Sequence, residues 1–223
     1  ATVVAIALRR SKLAQVVAGS PDSRETFSLS QAVGVSQYRS LLASVFTFGW
    51  ASYGVRVSVI PIFVAVVLGG DAAVAAWVLA AYAAGNAVLI FPSGRWNDSV
   101  GRKPMLVIGM FVLSAAYLVF PVSNSLWFAL AVMFVAGAGS ALVNPGQQAV
   151  VADVVGLRRG GNVVAAYSMT SDLGGVLGPL IAGAIVDLAG FGWAFGLTAA
   201  LLALAGLAWL IVPDSRKLQR PAN

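Results

Sequence analysis

The stretch Gly94-Arg95-Trp96-Asn97-Asp98-Ser99-Val100-Gly101-Arg102-Lys103 sets Arg95, Asp98, Arg102 and Lys103 between two apolar runs, 72–94 and 104–123, that contain no charged residue. Each run reaches the roughly 20 residues that a helix needs to cross the hydrocarbon core of a bilayer. The charged stretch is too short to be a domain linker, so it must stay beside the two helices it joins, at one face of a membrane. Gly94 and Gly101 suit close approach of backbones, and Pro104 suits the first turn of a helix, where its missing N–H costs nothing.

The whole chain agrees with that reading. It has 223 residues, 59% of them hydrophobic and only 10% charged, and its mean hydropathy is +0.88. A water-soluble domain needs about a quarter of its residues charged to cover its surface. The fold class that follows is an all-α membrane protein. Cysteine and histidine are absent, which excludes disulfides, Cys or His metal sites and a histidine proton relay. No cofactor is implied. No span carries a hydrolytic triad, a Walker loop or paired carboxylates, so an enzyme is not expected.

Six apolar spans can be read: 41–68, 72–94, 104–123, 126–151, 162–186 and 191–213. Turn residues or charges separate them. Thirteen of the fourteen Lys and Arg residues then fall on one side: Arg9, Arg10, Lys12, Arg24 and Arg39 before the first span, Arg95, Arg102 and Lys103 between the second and third, Arg158 and Arg159 between the fourth and fifth, and Arg216, Lys217 and Arg220 after the sixth. The opposite loops carry none. The positive-inside rule therefore places both ends in the cytoplasm of a multi-pass protein in the plasma (inner) membrane. The net charge of +6 does not indicate a nucleic-acid surface, because the basic residues sit at the ends of apolar runs and gather on no single face. Trp127 and Trp193 open spans at the outer face, as interfacial anchors do.

The spacing Gly94-x3-Asp98-x2-Gly101-Arg102-Lys103 resembles the signature loop of the major facilitator superfamily, which joins the second and third helices of each six-helix half; Ser99 stands where that family usually has Arg or Lys. Gly174-x3-Gly178-Pro179-x2-Ala182-Gly183 is similar to the glycine-proline motif of the fifth helix in proton-coupled antiporters of the family, with Ala182 in place of Gly. The resemblance implies one half of a major-facilitator-type fold. The glycine-proline motif taken alone implies the N-terminal half, whereas Met133 to Gly139 lacks the buried Arg of the N-terminal fourth helix, which favours the C-terminal half. Residues 1–12 then read as the stump of a preceding transmembrane helix, 13–40 as a cytoplasmic connecting loop with a short surface helix near 28–42, 41–213 as the bundle and 214–223 as a cytoplasmic tail. The implied partners are a small-molecule substrate, a proton as coupling ion, membrane lipid and the missing N-terminal six-helix half.

The resemblance also implies a cytoplasmic gating latch from Gly94, Asp98, Gly101 and Arg102, with Arg102 and Lys103 within reach of Asp153. The basic residues alone would serve equally to fix topology and bind lipid phosphates.

Arg56 and Asp172 are the ionisable groups inside spans. Asp172 lies about ten residues into its span, roughly 15 Å deep, near the midplane. A charge there costs at least about 2.5–3.5 kcal/mol, so it normally lines a cavity or pairs. Asp172 is a candidate proton site, and Arg56 a candidate counter-ion for an anionic substrate or for Asp172. Snorkelling would explain Arg56 if Pro61 ended its helix early. Asn144 and Gln147, three residues apart on one helix, are candidate cavity-lining amides, with Asn86 and Tyr53. Gly174, Gly178, Pro179 and Gly183 are candidates for close helix packing or a hinge.

The function expected is secondary active transport of a small molecule by alternating access, as proton-coupled efflux. Uptake of an anionic metabolite is an alternative within that class. A non-transporting six-helix receptor or assembly module is an alternative outside it.

Overall fold

The structure is a computed structural model that describes residues 27–213. The expected helix stump, most of the connecting loop and the tail lie outside the described residues. All regular structure among the described residues is helical. Six helices are long and apolar enough to cross a membrane, preceded by a short helix, α1 (Leu29–Gly34).

The start of α1 follows from local chemistry. The Ser28 hydroxyl accepts from the Gln31 N–H (3.3 Å) while the Gln31 side chain accepts from the Ser28 N–H (2.9 Å), a reciprocal cap that satisfies two donors at a helix start. The Phe27 N–H donates to the Arg159 carbonyl (2.8 Å), and the Arg158 guanidinium lies 3.6 Å over the Phe27 ring. These contacts tie α1 to the turn between the fourth and fifth spans.

The spans are α2 (Ser36–Val66), α3 (Ala72–Ser99), α4 (Arg102–Val119, continued by a 3₁₀ turn Phe120–Val122), α5 (Leu126–Val155), α6 (Gly161–Ala189) and α7 (Phe191–Ile211). The count and order match the sequence expectation, but the boundaries shift: α5 and α6 run four and three residues further, to Val155 and Ala189, and the changes around the first three spans bear on the site. α2 begins five residues before position 41. α3 runs to Ser99, and α4 starts at Arg102, ahead of Pro104. Most of the expected signature loop is therefore helix, and only Val100 and Gly101 separate α3 from α4. Gly101 has φ 125°, a backbone conformation that a side chain would strain. Asp71 and Ser125 cap α3 and α5 by accepting from the Val74 N–H (2.9 Å) and the Phe128 N–H (3.3 Å), as capping preferences dictate.

α3 packs along α5, α5 on α4, α4 on α7 and α2 on α6. At the end of the bundle that holds the C-terminus of α2 and the N-terminus of α7, Phe63, Phe120 and Phe195 meet with ring centroids 5.0–5.7 Å apart, and Phe191 lies edge-on to Phe63 at 5.3 Å. Polar side chains inside the bundle return hydrogen bonds to their own helix or cross to a neighbour, which hydrocarbon surroundings require. Ser44 donates to the Leu41 carbonyl (2.9 Å) and Thr198 to that of Ala194 (2.9 Å). The Trp50 indole donates to Thr198 (3.0 Å) and Ser114 to the Ala199 carbonyl (2.8 Å).

The exterior is apolar. Trp77, Phe91, Leu157, Leu188 and Ile211 are each more than two-thirds exposed, a surface that water would not tolerate over so many residues. Only 22% of the apolar window of α3 and 17% of that of α6 is buried, against 44–56% in the other spans. Those two helices present the least covered faces of the bundle.

Candidate functional site

Halfway along the spans, α2, α3 and α5 flank an open cavity of about 260 Å³, lined by Phe48, Ser52, Tyr53, Arg56, Tyr82, Ala83, Asn86, Ser140 and Asn144. The backbone of α2 prepares it. Trp50–Val55 is wound as a π-helix between two α-helical stretches, a feature that often accompanies function when it interrupts a helix. The Tyr117 hydroxyl donates to the Ala51 carbonyl (2.7 Å), and the Arg56 Nε donates to the Ser52 carbonyl (2.8 Å). Arg56 thus stands on the segment just after the π turn. Pro61 does not end the helix, which continues to Val66.

The Arg56 guanidinium carbon lies 4.3 Å from the centre of the Tyr82 ring, a cation–π arrangement. The Tyr82 hydroxyl is 3.0 Å from that of Ser52. Across the cavity Asn86 Nδ2 donates to the Ser140 hydroxyl (3.2 Å), and Asn144 accepts from Gln148 (3.1 Å).

Of the expected cavity residues, Arg56, Tyr53, Asn86 and Asn144 are brought together. Gln147 is not with them: it is buried and donates to the Ser44 hydroxyl (3.3 Å), on the seam between α5 and α2. Three residues along an α-helix leave Gln147 only about 60° from Asn144, so it is the Ser44 hydroxyl that draws its amide to the α2 seam instead of the cavity. Asp172 is exposed on α6, away from the cavity lining. Among the described residues no ion pair joins it to Arg56. Ser52, Tyr82 and Ser140 were missed by residue type. Their signal was spacing: Ser52–Arg56, Tyr82–Asn86 and Ser140–Asn144 each repeat an i, i+4 polar pair on one helix face.

Two glycine seams hold the cavity walls at backbone distance. A Cβ on Gly137 would collide with the Tyr82 carbonyl, and one on Gly85 with that of Phe134. On the other side, a Cβ on Gly178 would sit 2.8 Å from the Trp50 carbonyl and one on Gly54 3.1 Å from the Gly178 Cα, while Gly174 abuts the Phe46 carbonyl. Pro179 lies within α6 against Gly54. Gly183 meets nothing within 4 Å and takes no part in this seam.

Where the start of α4 meets the end of α5, Arg102 forms an ion pair with Asp153, whose side chain is 1% exposed. Lys103 Nζ donates to the Leu210 carbonyl (2.8 Å) near the end of α7, where a cation complements the helix dipole. Asp98 is exposed in the last turn of α3, and Gly94 has open space beside it. Asn97 is buried; it donates to the Ser93 carbonyl (2.9 Å) and its carboxamide faces Gly146.

The sequence profile of the Major Facilitator Superfamily matches residues 41–223. The chain is 31% identical over 160 residues to a probable actinorhodin transporter of Streptomyces coelicolor, a match covering 69% of this chain and 28% of that protein. It is 33% identical over 92 residues to a Na(+), Li(+), K(+)/H(+) antiporter of Planococcus maritimus, covering 39% of this chain and 22% of that protein. The chain therefore spans only about a quarter of the length of these relatives. The crystal structure of tetrameric PepTSo2 superposes with a TM-score of 0.66 at 22% identity, over 84% of this chain and 44% of that one. With the profile matching residues 41–223, from early in α2 through α7, the chain belongs to the Major Facilitator Superfamily.

Proposed function

We propose that the chain is the C-terminal six-helix half of a twelve-helix secondary transporter, set in the plasma membrane with both ends cytoplasmic, that exports a small amphipathic molecule in exchange for protons by alternating access. The observation that carries this reading is the polar cavity at mid-depth of an otherwise apolar bundle. Such sites at the midplane, between two rocking halves, are the working sites of secondary transporters. The sparsely covered faces of α3 and α6 suit contact with the other half. Asp172 lies two residues from Gly174, about 200° around α6 from the seam with α2, so its carboxyl is available to the missing half and to water entering between the halves.

The orientation is checked by single cysteines reacted with an impermeant maleimide in whole cells. Cysteine at Asp71, Asn124 or Gly190 should label from outside, and cysteine at Ser99 only after permeabilisation. Outside labelling at Ser99 would sink the topology.

Coupling is checked by flux into proteoliposomes bearing the full-length protein. Asp172→Asn should reduce pH-driven transport to background yet keep substrate exchange at equal pH, because a carboxyl that gives up its proton as water enters is removed while the cavity is intact. Asp98→Asn should slow both while leaving substrate binding unchanged, as loss of a cytoplasmic latch requires. A fully active Asp172→Asn protein would remove the coupling role.

A further inference from the structure

Resting on the transport reading, we propose that the cavity among α2, α3 and α5 takes the carboxylate of an aromatic acid, held by the terminal amino groups of Arg56.

The argument begins with how Arg56 is fixed. Its Nε is committed to the Ser52 carbonyl at 2.8 Å. Its guanidinium lies 4.3 Å from the ring centre of Tyr82, and Tyr82 is itself held by the Ser52 hydroxyl at 3.0 Å. The group is therefore positioned before any ligand arrives. Neither terminal amino group has a hydrogen-bond partner among the described residues. That leaves a planar, preorganised edge with two parallel donors, the geometry that matches a carboxylate in bidentate fashion.

The surroundings favour an anion. Among the described residues neither Asp nor Glu lines the cavity, so Arg56 is the one formal charge they bring to it. Ser52, Asn86, Ser140 and Asn144 add neutral hydroxyls and amides. A guanidinium at this depth is stable when it pairs or meets water, and an entering carboxylate supplies the pair. The rest of the lining sets the body of the ligand. Phe48 and Tyr53 meet edge to face at 6.0 Å, and with Tyr82 they give aromatic walls suited to a flat ring. The part of the cavity walled by α2, α3 and α5, about 260 Å³, gives room for a ring and its carboxylate beside Arg56. A lipid headgroup is a poor occupant, because headgroups lie about 15 Å from the midplane.

The test uses 1-naphthoate and its neutral isostere 1-naphthamide as probes, with equilibrium binding to the full-length protein in neutral detergent. The acid should bind about 10–100-fold more tightly than the amide, the worth of a charge-assisted pair. Arg56→Gln should abolish that preference, and Arg56→Lys, which keeps the charge but loses the fork, should retain only part of it. Variants are compared only where gel filtration shows a folded monodisperse species; if none folds, the comparison of acid with amide on the unaltered protein decides. Equal binding of the two probes, or full preference in Arg56→Gln, would overturn the site and assign the charge to a carboxylate of the other half. Flux of other molecules by a protein indifferent to naphthoate would sink the anion site alone. Naphthoate binding with no flux of either probe under any gradient would sink the transport reading alone.

Discussion

Asp153→Ala should destabilise the bundle by up to about 3–5 kcal/mol, because it breaks the ion pair that a nearly buried carboxylate makes with Arg102. Asp153 is the more deeply buried member, its side chain 1% exposed against 17% for Arg102, so the pair is scarcely screened by water. The check is reversible unfolding in mixed micelles with increasing SDS, followed by far-UV circular dichroism. Replacing both partners by apolar residues of similar volume, Arg102→Met with Asp153→Leu, should recover most of the loss, since such swaps are often neutral or stabilising. If the single and double variants unfold alike, the pair is not what holds α4 to α5 on this side.

Gly137→Ala is expected to be nearly as damaging, although it adds a single methyl. That methyl would run into the Tyr82 carbonyl, which is helix backbone and cannot swing aside. α3 and α5 must separate, at the cost of about 1–3 kcal/mol or more that overpacking brings. Because Tyr82 also stacks on Arg56, ligand binding should weaken together with stability. Gly183→Ala is the matched control: nothing lies within 4 Å of its Cβ position, so it should be neutral or gain up to about 1 kcal/mol from helix propensity. Equal loss in both variants would mean that glycine acts through backbone flexibility rather than through close approach.

The spans were legible because hydrocarbon imposes a length and an exclusion of charge that composition cannot disguise. Where the bilayer stops, so does that constraint. Arg95 to Ser99 read as a loop because of their polarity, yet a helix that leaves the membrane can carry polar residues, and α3 continues through them. Pro92 does not break it, for a proline inside a transmembrane helix is tolerated when neighbouring groups satisfy the freed carbonyl. Arg56, Asn86 and Asn144 stood out as polar residues in apolar surroundings. Ser52 and Ser140 did not, since serine is common in such helices and is usually satisfied by its own backbone. Gln147 shows the limit of a face argument: whether a polar side chain turns toward a cavity or a seam depends on the neighbour it meets, here Ser44. The π turn of α2 had no signature in residue type at all.

That turn has a consequence for how the positive charge is aimed. A single π turn in an α-helix is equivalent to one inserted residue, and one residue corresponds to about 100° of rotation. Everything on α2 beyond Val55 is thus rotated relative to the stretch that precedes it. The half of the helix that carries Gly49 can hold its register against α6, while the half that carries Arg56 is turned independently toward Tyr82. Deleting one residue from Trp50–Val55 would restore an unbroken helix and swing the guanidinium off its ring, with Arg56 and Tyr82 both still present. Its bearing is written in chain length, and a substitution scan would pass over it.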